Sequence, residues 1–413
     1  MKGQNFRRAL AAGGAALVVV LLAACGGGGG DGGGSSSSAP PLANGPVSLP
    51  TENLQGPNAV ALVVDTGTDG TAINAPFATV TVCAPGSANC QTIDHVLVDT
   101  GSYGLRLAAS ALNGPVALPA VTAPGGAPLA ECAAFVSGYA WGSVRSADVQ
   151  IGGKTAGNVP VQLVNDTSSP YSAVPTACSN TGPALGVGAG AKGILGVGFQ
   201  AQDCGSACVT SAAPEVYFAC PAIGGCTSTT APIASQVTNP VALFAGDNNG
   251  VTIAMPDVPL GGVPSATGLL IFGVGTAANN QLGSAHVYTA NSVGNFTTLY
   301  KGRTLSAFID SGSNGIFFRD STFPSCVGGF YCASNTVGLT ATITGTNGTS
   351  TDVSFAVESA AAISNAAAAA HLAGDIGSSR TFDWGMPFFY GRTVFVAMAG
   401  ASTPFGTGPF WGF

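Results

Sequence analysis

The segment Val96–Leu107, VLVDTGSYGLRL, returns in altered form as Ala307–Phe318, AFIDSGSNGIFF. Each copy runs from apolar residues through Asp, Thr or Ser, Gly, Ser, any residue and Gly into an apolar exit. An aspartate at the end of an apolar strand is costly, because burial favours its neutral form. The residues that follow supply compensation: glycine permits a tight loop that turns backbone N–H groups toward the carboxylate, and the hydroxyls can donate to it. Asp99 and Asp310 lie too far apart in the chain for one helix or hairpin to hold both, so two separate loops must meet. Two carboxyls a hydrogen bond apart resist ionising together, and the pair keeps one proton. The ionised member can then take a proton from water while the protonated member polarises a carbonyl. Thr100, Gly101 and Ser102 in the first loop, with Ser311, Gly312 and Ser313 in the second, are expected to orient the two carboxyls.

Other chemistries find less support. A third Asp-Thr-Gly stands at Val63–Gly70, VVDTGTDG, but Thr71-Ala72-Ile73 replaces the apolar exit strand, so Asp65 reads as a surface turn. That loop lacks the acidic third and twelfth positions of an EF-hand. No Cys-x-x-Cys pair occurs, and His95, His286 and His371 have no ligand-like spacing, so neither a metal nor another cofactor is expected. There is no Gly-x-Ser-x-Gly elbow for a serine nucleophile. Charged residues make up 8% of the chain and the net charge is −7, which gives no basic face for nucleic acid.

The elements that must position the two loops are strands. Alternating runs such as Pro76–Cys83, Ser146–Gly153 and Thr340–Thr346 are punctuated by Gly, Asn and Pro turns. Helical signals are confined to the Ala-rich stretch Ser359–His371, closing at Gly374, and a weaker one at Ala108–Leu112. The expected fold is all-β with minor helices. One Asp loop per lobe gives a bilobal body, residues 58–235 and 236–413, with a cleft between the lobes. Each loop should be followed by a glycine turn, at Gly193–Phe199 in the first lobe and Trp384–Phe389 in the second.

The N-terminus carries Lys2, Arg7 and Arg8, an uncharged run to Ala24, and then Cys25. Residues 1–24 therefore read as a secretory signal, and Leu22-Ala23-Ala24-Cys25 resembles the lipobox of bacterial lipoproteins, with Cys25 as the lipidated residue. Residues 25–57 form a Gly/Ser/Pro-rich tether with a reach on the order of 30 Å. Setting Cys25 aside leaves an even number of the 11 cysteines, as an oxidising compartment favours. The simplest pairing joins Cys83 to Cys90, Cys204 to Cys208, Cys220 to Cys226 and Cys326 to Cys332, leaving Cys132 and Cys178. The expected location is the bacterial cell envelope, facing the periplasm or the cell surface, with the lipid as the sole membrane contact.

With their two Asp-Thr/Ser-Gly-Ser loops, the Gly193–Phe199 turn and the closing segment Trp384–Ala397, residues 58–413 resemble the pepsin-like aspartic endopeptidases. The whole chain also resembles a group of proteobacterial lipoproteins that share a domain of unknown function. The first resemblance implies two pseudo-symmetric β lobes, catalysis by Asp99 and Asp310, a peptide or protein substrate and a monomeric enzyme. It also implies a tyrosine-bearing hairpin flap, for which Phe135–Ser143 offers Tyr139 or Trp141. Asp383 departs from the family pattern, which has an apolar residue there. The tether Gly26–Pro57 has no basic residue and so implies no self-inhibiting prosegment. The competing expectation is a catalytically silent module of the same fold that presents its cleft to a peptide or partner protein.

Overall fold

Runs of Val, Ile, Thr and Ala broken by glycine favour short paired strands over helices, and the computed structural model is built almost wholly of them. It describes residues 44–49, 55–113, 116–188 and 190–413; the signal segment, Cys25 and most of the tether lie outside the described residues. The strands form a 16-stranded sheet, a 7-stranded sheet and one two-stranded ribbon.

Six strands of the large sheet close on themselves. Pro76–Cys83 pairs with Cys90–Asp99, then Gly193–Val197, Tyr103–Ala108, Lys154–Val164 and Gly138–Ile151 follow, and the last returns to pair with Pro76–Cys83. Closure makes a barrel, which removes free edges. The same sheet runs on through Ala59–Val64 into Ala266–Phe272, Gly250–Ala254, Thr393–Ala397, Phe410–Gly412 and Val287–Thr289. Hydrogen bonding is thus continuous across the expected lobe boundary at residues 235 and 236.

The 7-stranded sheet, from Ser350–Val357 to Ala373–Gly374, remains open and forms a half-barrel. Its inner face is aromatic. Phe318 stacks on Phe382 with ring centroids 5.1 Å apart, and Phe382 lies 4.5 Å from Trp384. Tyr300 and Phe355 pack edge-on against this pair, the offset geometry that ring quadrupoles favour.

Among the described residues five disulfides form: the four short-range pairs read from sequence, and Cys132 with Cys178. Two expectations of helix fare differently. Ala109–Ala111 makes a single 3-10 turn. Ser359–His371 is not a helix but a succession of turns. The reason is tertiary: Ala366 to Ala369 are buried, and Asn74 takes over the backbone groups a helix would use. Its side chain donates to the Ala369 carbonyl (2.9 Å) and accepts from the Ala369 N–H (2.7 Å), and its own N–H donates to the Ala367 carbonyl (2.7 Å). Alanine's helix propensity is a weak prior beside such contacts.

The Cys132–Cys178 bridge spans 46 residues. Its removal by a Cys132→Ala/Cys178→Ala double substitution is expected to cost about 4 kcal/mol through chain entropy, measured by urea unfolding as a lowered midpoint with a steeper slope, because the unlinked denatured chain exposes more surface.

Candidate active site

Asp99 and Asp310 occupy matching places in the two lobes. Cys90–Asp99 runs parallel to Gly193–Val197, pairing Asp99 with Gly196; Arg303–Asp310 runs parallel to Thr381–Gly385, pairing Asp310 with Gly385. In each lobe the exit strand, Tyr103–Ala108 or Ile316–Phe318, folds back antiparallel to that same partner. Both expected glycine turns therefore underlie their Asp loops. A Cβ on Gly385 would meet the carbonyl oxygen of Gly315 at 2.1 Å, and one on Gly196 would meet the Tyr103 nitrogen at 2.5 Å. Glycine is thus required at both positions for the loops to seat.

The loops are sewn together by reciprocal bonds. The Thr100 N–H donates to Ser311 Oγ (3.0 Å) and the Ser311 N–H to Thr100 Oγ1 (2.9 Å). Each hydroxyl then donates onward to the opposite strand: Ser311 Oγ to the Val98 carbonyl (2.7 Å), and Thr100 Oγ1 to the Ile309 carbonyl (3.2 Å). All of this is buried.

Above this knot each carboxylate is held by its own loop. Asp99 accepts from the Gly101 N–H (2.7 Å) and from the Ser102 hydroxyl. Asp310 accepts from the Gly312 N–H (2.8 Å) and the Ser313 hydroxyl (2.9 Å). The two loops approach so closely that a Cβ on Gly101 would sit 2.7 Å from Asp310 Oδ1. The Asp99 loop thus lies directly against the Asp310 carboxyl, and both aspartates are fully buried. Burial, the charge on Asp99 and the nearby Asp383 push Asp310 well above the usual carboxylate range, and the Ser313 hydroxyl opposes. The arrangement can hold one proton between two carboxyls.

The chain matches, over residues 55–413, the family described as "Protein of unknown function (DUF3443)". It belongs to that family. No curated protein matches it. Among solved structures it is similar to the aspartic proteinase from Irpex lacteus, with 16% sequence identity over 86% of this chain and 96% of that one, at a TM-score of 0.49.

The hairpin proposed from sequence as a flap, Leu129–Phe135 with Gly138–Ile151, is tightly held. Tyr217–Ala219 adds to its outer edge, and the Cys132–Cys178 bridge crosses to the short helix Thr176–Ser179. Trp141 donates its indole N–H to the Tyr171 carbonyl (2.8 Å) and packs edge-on against Phe218. Tyr139 is buried in the same cluster. The structure thus places both aromatics in the packing of the hairpin.

Several residues around the site had no sequence signal. Asn74 reaches from the first lobe to the second loop, donating to the Asn314 carbonyl (2.7 Å). Tyr103, beside Asp99, is pushed up to about 12 by burial and by the Asp99 charge. Behind it lies a buried ionic cluster. Arg106 donates to the Tyr103 carbonyl (2.7 Å), to Glu131 (2.5 Å) and to Asp203 (3.1 Å), and Tyr217 donates to Asp203 (2.5 Å). Burial drives Glu131 well above its ordinary value; Arg106 opposes that rise and Asp203 adds to it.

Two predictions follow from these contacts. Thr100→Val strips the buried Ser311 N–H of its acceptor and should destabilise the fold by roughly 1–3 kcal/mol, whereas Thr100→Ser keeps the hydroxyl and should cost less; urea unfolding of the pair separates them. Arg106→Met leaves Glu131 and Asp203 without their shared cation, and a loss of about 3–5 kcal/mol is expected in the same assay.

Proposed function

We propose that the protein is an aspartic-type endopeptidase that hydrolyses peptide bonds through a water activated by Asp99 and Asp310. The observation that carries this reading is the meeting of two buried aspartates on loops joined by reciprocal Thr100–Ser311 bonds, with the Asp99 loop against the Asp310 carboxyl. Loops that merely closed a binding groove would have no need of paired carboxyls, which are expensive to bury.

In this mechanism the ionised carboxylate takes a proton from water as the water oxygen bonds to the peptide carbonyl carbon. The protonated carboxyl of the pair gives its proton to the carbonyl oxygen. The carboxyl that took the water proton then gives it to the leaving nitrogen, the C–N bond breaks as a hydroxyl of the tetrahedral diol returns its proton to the other carboxylate, and the pair ends with the single proton it began with. Gly101 and Gly312 N–H groups and the Ser102 and Ser313 hydroxyls keep the carboxylates in plane for this exchange.

The substrate in this reading is a peptide or unfolded protein lying extended between the lobes, with no cofactor taking part. The lipobox at Cys25 supports an enzyme tethered by lipid in the cell envelope, acting as a monomer. Tyr139 and Trp141 remain the flap candidates of this proposal, on a hairpin whose exposed tip residue is Val136.

The full chain is expected to cleave a denatured protein within about pH 3 to 8, inhibited by a statine-type compound. Asp99→Asn and Asp310→Asn should each lower the rate by roughly 10²–10⁴-fold or more, as for loss of a general acid or base. A folded protein with intact disulfides that cleaves nothing across this range would instead support the silent binding module.

A further inference from the structure

The strands around the second Asp loop present two different faces. Ile309, Ile316, Phe318, Phe382 and Trp384 turn into the hydrophobic core. Side chains alternate along a strand, so Phe308, Asp310, Phe317 and Asp383 share the other face. The parallel register pairs Phe308 with Asp383 and Asp310 with Gly385, which puts Asp383 one diagonal step from Asp310. The first lobe has the same register, Leu97 with Ile194 and Asp99 with Gly196. The counterpart of Asp383 is therefore Ile194, which is buried among Ala133, Ala140, Val164 and Val187. One pseudo-symmetric position is apolar in one lobe and acidic in the other.

Asp383 is fully buried, and neither of its carboxyl oxygens has a hydrogen-bond partner. Burial pushes it well above the carboxylate range; the Ser313 hydroxyl, already donating to Asp310, opposes this, and the Asp99 charge adds to it. The titratable groups facing it are Asp310, on the adjacent strand, and Asp99, from the other lobe. The strand Ile316–Phe318 has no charged residue, and residues 359–372, which cover Phe317, contain only His371. The charged neighbours of His371 are Glu358 and Asp257. No cation is among the groups acting on Asp383.

We propose that Asp383 is a third carboxyl of this centre, a positioning residue that keeps the Asp99–Asp310 pair singly protonated further toward neutral pH than the pair alone would be. Three carboxyls in one dry volume carry a single charge at first, and each further ionisation must occur beside it. When Asp383 ionises, its charge holds the proton of the pair in place. The catalytic consequence rests on the endopeptidase reading, whereas the protonation itself does not.

The test is an infrared titration of protonated carboxyls in the full chain, in wild type, Asp383→Ile and Asp383→Asn. The isoleucine copies Ile194, and the asparagine keeps the shape if isoleucine fails to fold. In either variant the proton of the pair should leave at a pH lower by about one unit or more, a tenfold change in proton affinity. Asp383→Glu should restore most of the shift.

A second readout is thermal. A carboxyl raised in the native state stabilises fully below its unfolded value of about 3.9, and this is lost as pH rises through the raised value. The wild-type melting temperature should fall between about pH 4 and 8, and Asp383→Ile should flatten that fall. If the pair lost its proton at an unchanged pH in both variants, the proposal would be overturned. A shifted titration in a protein that cleaves nothing would support the third carboxyl and sink the endopeptidase reading. Where cleavage is found, its alkaline limb should move with the infrared transition.

Discussion

The centre of this protein depends on two hydroxyl groups that each do three things. Thr100 and Ser311 accept an N–H from the opposite loop, donate to a carbonyl of the opposite strand, and in doing so fix the distance between the aspartates beside them. Buried backbone groups must find partners, and here each loop can satisfy its own only through the other. The carboxyls do not meet because they attract, since two buried acids repel once ionised. They meet because the backbone beneath them has nowhere else to bond. Gly101 completes the constraint from the steric side by leaving no side chain between the loops.

Around that knot the lobes are alike in register and unlike in surroundings. In the first, the exit strand leads to Arg106 and a buried ionic cluster with Glu131, Asp203 and Tyr217. In the second it leads into packed rings, with Phe318 against Phe382. The first loop is half-exposed at Gly101 and Ser102, whereas Gly312 and Ser313 are buried. A shared scaffold thus gives the two aspartates different environments, which is how like residues acquire unlike proton affinities.

Much of this was legible in the sequence where the signal was local. The Asp loops, their glycine turns, the strand Pro76–Cys83 and the part of Val337–Thr344 that falls within Thr340–Thr346 follow from short-range chemistry: alternation, tight turns and carboxylate solvation. The four close cysteine pairs were readable for the same reason, whereas Cys132 and Cys178, left over by that scheme, are joined only in the structure. Failures came where a distant residue decided. Asn74 lies 295 positions from Ala369, whose backbone it binds, so no window around Ser359–His371 could reveal that its alanines serve burial and not a helix. Nothing near Arg106 announces Glu131 or Asp203. Asp383 was visible as an odd residue, but its position beside Asp310 emerges only from the strand register.

The continuous sheet also dictates an order of assembly. Every strand of the closed barrel lies before residue 198, so that ring can complete itself while the rest of the chain is still being made. Ala59–Val64, at its margin, must wait for Ala266–Phe272, which pairs with it along six residues. Until that strand arrives, the barrel carries an open edge rich in Val and Leu, the kind of surface that invites pairing with other chains. The interval before residues 266–272 are in place is therefore the most exposed moment in the folding of this sheet, and a folding helper would have most to protect at residues 59–64.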